Sequence, residues 1–99
     1  MRIRTRHNKS WQILEIDHFT NSKGEVDNSV MGICEPNNRQ IIVRKEQTNK
    51  FSTLIHETIH AIDFDYDIGL TENQVERLEQ GIMRVIKLNK LFRFWESMQ

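Results

Sequence analysis

One cysteine, one proline and four glycines are all that the 99 residues contain. The lone Cys34 can close no internal disulfide and has no second thiolate beside it to hold a metal. No stretch is rich in Pro, Gly or Ser, and no repeat or low-complexity segment appears, so residues 1–99 read as a single domain. An excess of either charge is also missing. Lys plus Arg equals Asp plus Glu at 14 each, which leaves no net field to attract nucleic acid or an anionic membrane. The longest apolar run is three residues, Ile41 to Val43, and the N-terminus lacks a signal-peptide core; the expected setting is the cytoplasm, without membrane insertion. With 37% hydrophobic and 28% charged residues, little apolar material remains for a large enclosed cavity.

What is present divides by period. Trp11, Ile13, Leu14, Ile16 and Phe19 alternate with polar residues and slip once near Leu14, which predicts a strand carrying a β-bulge. Thr20 to Asn28 reads as a loop. Val30 to Glu35 and Gln40 to Arg44 are short and β-branched, and Pro36-Asn37-Asn38-Arg39 between them is turn chemistry, so they predict a hairpin. From about Thr48 the spacing changes to Leu54, Ile55, Ile59 and Ile62, one face of a helix of about 15 residues that stops within Asp63 to Gly69. Thr71-Glu72-Asn73-Gln74 has the form of a capping box and starts a second helix at Glu72, with the stripe Val75, Leu78, Ile82, Val85 and Ile86. Beyond Asn89, Leu91, Phe92, Phe94 and Trp95 form an apolar cluster on another face, expected to pack within the molecule or to meet a partner or a second copy. The expected class is α+β: a small, mostly antiparallel sheet on the first helix, with the second helix crossing beside it.

Inside the first helix lies His56-Glu57-Thr58-Ile59-His60. Spacing of i, i+4 places both imidazoles on one face a turn apart, the bite needed by one zinc ion, which takes imidazole nitrogen at about 2.0–2.1 Å. Glu57 is offset from that face, where it can take a proton from a water activated by the metal and act as general base. A shuffled chain of this composition would hold roughly 0.014 copies of H-E-x-x-H by chance. The neighbours Thr53, Leu54, Ile55, Thr58, Ile59, Ala61 and Ile62 are uncharged, as in a packed helix that shows only His56, Glu57 and His60 to a cleft. The competing reading is a pair of surface histidines beside a coincidental Glu.

Zinc needs a third protein ligand. No histidine follows His60, the metzincin continuation is broken by Asp63 and Tyr66, and His7 and His18 lie in the strand half as solvated side chains. The third ligand is therefore expected to be a downstream carboxylate. Asp63, three residues after His60, suits orientation of a histidine better than ligation. On the second helix Glu72 is the first choice, in the first turn after a short connection, and Glu76 the alternative if the helix is rotated. Glu79 lies almost two turns on and could buttress a histidine. Tyr66 is a weak candidate for the oxyanion donor, and Gln40 to Arg44 is the suggested edge strand for holding an extended substrate.

The segments TLIHETIHAI (Thr53 to Ile62) and GLTENQVERL (Gly69 to Leu78), with GICEPNNRQIIVR (Gly32 to Arg44) before them, resemble the small zincin-like metallopeptidases of phages and bacteria. That pattern is related to the gluzincin, SprT-like and ImmA/IrrE-like groups. The likeness spans about residues 11 to 90, without the later histidine ligand of SprT-like proteins and without the second domain of larger enzymes. It implies a minimal zincin-like fold in a bacterial or phage-infected cytosol. By the same likeness His56, His60 and Glu72 are zinc ligands and Glu57 the catalytic base of a Zn2+ peptidase acting on peptide or protein substrates. The alternative it leaves is a non-catalytic zinc-binding regulatory or interaction module of the same fold.

Overall fold

The computed structural model describes residues 1–89, so the apolar cluster at Leu91 to Trp95 lies outside the described residues. Six strands precede two helices: β1 (Arg2–Arg6), β2 (Lys9–Ile16), β3 (Phe19–Thr20), β4 (Val26–Asp27), β5 (Gly32–Glu35), β6 (Gln40–Arg44), α1 (Lys50–Tyr66) and α2 (Glu72–Asn89). Four strands form one sheet in the order β1-β2-β6-β5, antiparallel except for the β2–β6 pair, while β3 and β4 make a small separate hairpin. This is the α+β architecture expected, a mostly antiparallel sheet with two helices.

The sheet departs from expectation in instructive ways. β1 carries no sequence signal, since Ile3 is its single apolar residue among Arg2, Arg4, Thr5 and Arg6, too few to show a period. The bulge expected near Leu14 is absent: β2 pairs with β6 without interruption from Gln12 to Ile16, and the register shift falls in β1 between Arg4 and Arg6. Leu14 breaks the alternation because β2 is an interior strand with apolar residues on both faces. The same strand order corrects the edge assignment. β6 is paired on both sides, by β2 and β5, so Gln40 to Arg44 offers no free edge; β5 does. The β5–β6 hairpin forms as read, with the turn closed by Arg39 in the left-handed conformation at φ 51°.

Trp11, Ile41, Val43 and Ala61 are the fully buried centre, joined by Ile3, Ile13, Cys34 and Leu54 from the sheet face and α1. Each fully buried aliphatic side chain here contributes about 1.5–3 kcal/mol relative to exposure. The α1 surface against the sheet is not the isoleucine row read from the sequence. The sheet side of α1 runs along Leu54, Glu57, Ala61 and Asp65; of the row read from the sequence Leu54 joins it, Ile59 is buried on the opposite side of the helix and Ile62 is left exposed. Asp65 fastens that seam: its carboxylate accepts from the Thr5 hydroxyl, from Trp11 Nε1 at 2.7 Å and from both Arg39 terminal nitrogens at 2.9 and 2.8 Å. Phe64 meets Trp11 edge to face at 6.0 Å between centroids.

Asp67 ends α1 in the left-handed region, donating its N–H to the Asp63 carbonyl. The capping box starts α2 as expected: Gln74 N–H donates to Thr71 Oγ1, and Thr71 N–H donates to Gln74 Oε1. The α2 stripe is only partly used, since Val75 is buried but Leu78, Ile82 and Val85 are exposed.

Candidate metal centre

α1 touches two neighbours at once, the sheet on one side and α2 on another, and His56 and His60 stand at the junction. Their rings lie 5.0 Å apart between centroids, the separation that i, i+4 spacing sets. The short connection after α1 returns α2 with Glu72 in its first turn directly opposite both imidazoles. Glu72 Oε1 is 2.7 Å from His56 Nε2, and Glu72 Oε2 is 3.1 Å from His60 Nε2. One ligand atom from each of the three residues falls within 4.8 Å of the other two, the sole such His/Cys/Asp/Glu group among the described residues. A tetrahedral ion with bonds of about 2.0–2.2 Å holds its ligand atoms roughly 3.3–3.5 Å apart, so two nitrogens and one oxygen in this arrangement fit zinc after small side-chain adjustments. Glu72 is also the acid that the macrodipole favours at a helix start.

The surrounding groups prepare these donors. Glu79 Oε1 lies 2.9 Å from His56 Nδ1, and its other oxygen accepts from the Ser52 hydroxyl. With Glu79 taking the Nδ1 hydrogen, His56 presents Nε2 toward Glu72 and the candidate ion. Burial by itself would lower the His56 pKa, but the Glu79 hydrogen bond, the Glu57 charge and Glu72 outweigh it, and the imidazole titrates above its ordinary value. Glu57 is buried, and burial raises its carboxyl pKa; His56 and His60 pull it down without reversing the shift, while Glu72 and Glu79 add to it. A carboxyl raised in this way is a stronger proton acceptor than an ordinary glutamate.

Gly32 sets how closely the edge strand approaches this centre. A Cβ there would stand 2.7 Å from Thr53 Cγ2 and 3.3 Å from Glu57 Cγ, so glycine lets β5 pass directly over the base. Gly32, His56 and Glu57 line two open hollows, of about 750 and about 570 Å³. One extends past Gln47 and Ser52, the other past Cys34, His60 and Glu72. Together they make a groove along the free side of β5 with Glu57 at its waist. Burial, then the charges of Glu57 and Asp65, push the Cys34 thiol up to about 12, and Cys34 is not one of the three convergent residues.

Other expectations resolve differently. Asp63 orients no histidine: its Oδ1 accepts from the Gly69 and Leu70 N–H groups and shapes the α1–α2 connection. Tyr66 donates to the Thr5 carbonyl at 3.0 Å, which commits its hydroxyl to β1 and not to an oxyanion. Glu76 lines the larger hollow but is not one of the three convergent residues, and His7 and His18 are exposed in the strand half. Compared with family models, curated proteins and solved structures, the chain matches none. Sequence reasoning missed Gly32 and Ser52; an isolated glycine in a strand is a recognised sign of close backbone approach, whereas nothing around Ser52 signals its bond to Glu79.

Proposed function

We propose that this chain is a zinc-dependent peptidase in which His56, His60 and Glu72 hold the ion and Glu57 is the general base. The observation that carries this reading is the convergence of two imidazole nitrogens and a carboxylate oxygen from separate helices beside a buried, raised-pKa glutamate. Zinc, when bound, supplies Lewis acidity toward oxygen. Glu57 takes a proton from the attacking water and delivers it to the departing amine, so no covalent intermediate with the protein forms. Glu79 keeps His56 in the ligating tautomer. An extended peptide adds to the free side of β5, its main chain pairing with the strand and its scissile bond carried over Glu57 at the waist of the groove. No helix among the described residues is long and apolar enough to cross a membrane, and a cytoplasmic setting belongs to the same proposal.

The test combines metal analysis with peptide cleavage. Protein dialysed against zinc should retain one ion per chain, and His60→Ala should lose it. Glu57→Gln should keep the ion and abolish cleavage of a mixed peptide library followed by mass spectrometry. Failure of the wild-type chain to take up zinc, or cleavage that survives Glu57→Gln, would overturn the proposal. Zinc uptake without cleavage by the wild type would select the non-catalytic module.

A further inference from the structure

The solvent side of α2 carries a feature the metal centre does not use. Leu78, Ile82 and Val85, spaced i, i+4, i+7, are 45%, 38% and 49% exposed, and Leu88 continues the row in the open. Gly81 interrupts the row with no side chain, and a Cβ there would meet nothing within 4 Å, so the face is notched. Arg77, Leu78, Gly81, Ile82, Val85 and Ile86 line the resulting groove of about 440 Å³. With 100° per residue and Leu78 at zero, Ile82 lies at about 40°, Val85 at about −20°, and Arg77 and Arg84 at about −100° and −120°. Glu72, Glu76 and Glu79 fall on the other flank, at about 100° to 160°. Arg77 lines the groove and Arg84 lies on the same flank of the helix, and neither arginine makes an ion pair among the described residues.

We propose that this face docks an acidic amphipathic helix of a partner protein, its apolar row seated across Gly81 and its carboxylates meeting Arg77 and Arg84. From Leu78 to Leu88 the row runs about 15 Å, the contact length of three turns, and a missing side chain at its centre admits a ridge from another helix. A second copy fits poorly, since antiparallel self-pairing sets Arg77 against Arg84 of the other chain. A lipid surface fits poorly too: the described face has no Trp, Tyr or Phe, offers two cations, and belongs to a helix with three carboxylates. The proposal is independent of the zinc reading.

The probe is a synthetic 18-residue helical peptide with Leu in an i, i+4, i+7 row and Glu on its flanks, titrated by fluorescence anisotropy against the full chain. It should bind at least about tenfold more tightly than the same peptide with Lys for Glu, and more weakly as salt rises from about 50 to 500 mM. The double variant Leu78→Ser/Val85→Ser should lose at least about tenfold in affinity while its circular dichroism at the assay temperature stays that of the folded chain, and Arg77→Glu/Arg84→Glu should reverse the preference to the Lys peptide. Several outcomes would overturn the proposal: no binding, equal binding of both peptides, or affinity insensitive to these variants. So would sedimentation as a dimer that Leu78→Ser/Val85→Ser dissolves, binding to phosphatidylserine vesicles through the same residues, or nuclear Overhauser contacts placing Trp95 of the same chain on Leu78.

Discussion

The Asp65 clamp is the most quantitative consequence of this structure. Its side chain is 3% exposed and accepts from Thr5, Trp11 and both terminal nitrogens of Arg39, so α1 is tied at one point to β1, to β2 and to the β5–β6 turn. Asp65→Asn keeps the shape and removes the charge. Its best orientation leaves the carbonyl oxygen facing Thr5, Trp11 and one Arg39 nitrogen, and turns an amide donor against the other. Removing one partner of a fully buried ion pair costs about 3–5 kcal/mol. Arg39 is 30% exposed, so water recovers part of that loss, and about 2–3 kcal/mol remains. For a domain of this size that corresponds to a fall of about 10–20 °C in Tm, measurable by circular dichroism at pH 7. The difference should itself depend on pH. The Arg39 hydrogen bonds hold the Asp65 carboxyl well below the usual carboxylate range, Thr5 and Trp11 reinforcing them against burial. A depressed folded pKa stabilises fully above the unfolded value of about 3.9 and progressively less as pH falls toward the folded one. The wild-type advantage should thus stay constant from pH 7 to 5 and shrink below about pH 4. A Tm loss under about 3 °C at pH 7, or a gap that widens in acid, would refute the role assigned to Asp65.

Three further outcomes follow from contacts already described. Glu79→Ala should weaken zinc binding about 10–100-fold in a chelator competition while Glu79→Gln, which still accepts from Nδ1, recovers most of it; equal losses would argue against positioning through His56. Gly32→Ala forces β5 away from Thr53 and Glu57, costing about 1–3 kcal/mol in urea unfolding and lowering any peptidase activity beyond the stability loss; a neutral result would show that the strand can shift freely. Thr71→Ala removes the hydroxyl that caps Gln74 and should destabilise by about 1 kcal/mol, with weaker zinc binding because Glu72 sits in the turn that frays; unchanged values would detach the cap from the site.

Local chemistry explains which features were visible in the chain itself. His56 and His60 had to share a helix face because 3.6 residues per turn leaves no other option, and Thr71 with Gln74 had to open a helix because each satisfies a backbone N–H of the other. Glu72 follows that cap directly, which favours it over Glu76, and the structure brings it to both imidazoles. The hairpin of β5 and β6 was equally local, set by Pro36 and the turn residues after it.

Tertiary pairing decided the rest. Whether Gln40 to Arg44 is an edge or an interior strand depends on the parallel partner β2, which is far away in sequence and leaves no mark on the residues of β6. Which side of α1 meets the sheet was settled by Asp65 reaching Arg39, Trp11 and Thr5, a set of contacts spanning 26 to 60 positions that outweighs the isoleucine row. Periodicity reports how apolar a face is, but burial is awarded by whichever partner surfaces arrive. That is why Glu57 is enclosed while Leu78, Ile82 and Val85 remain in water.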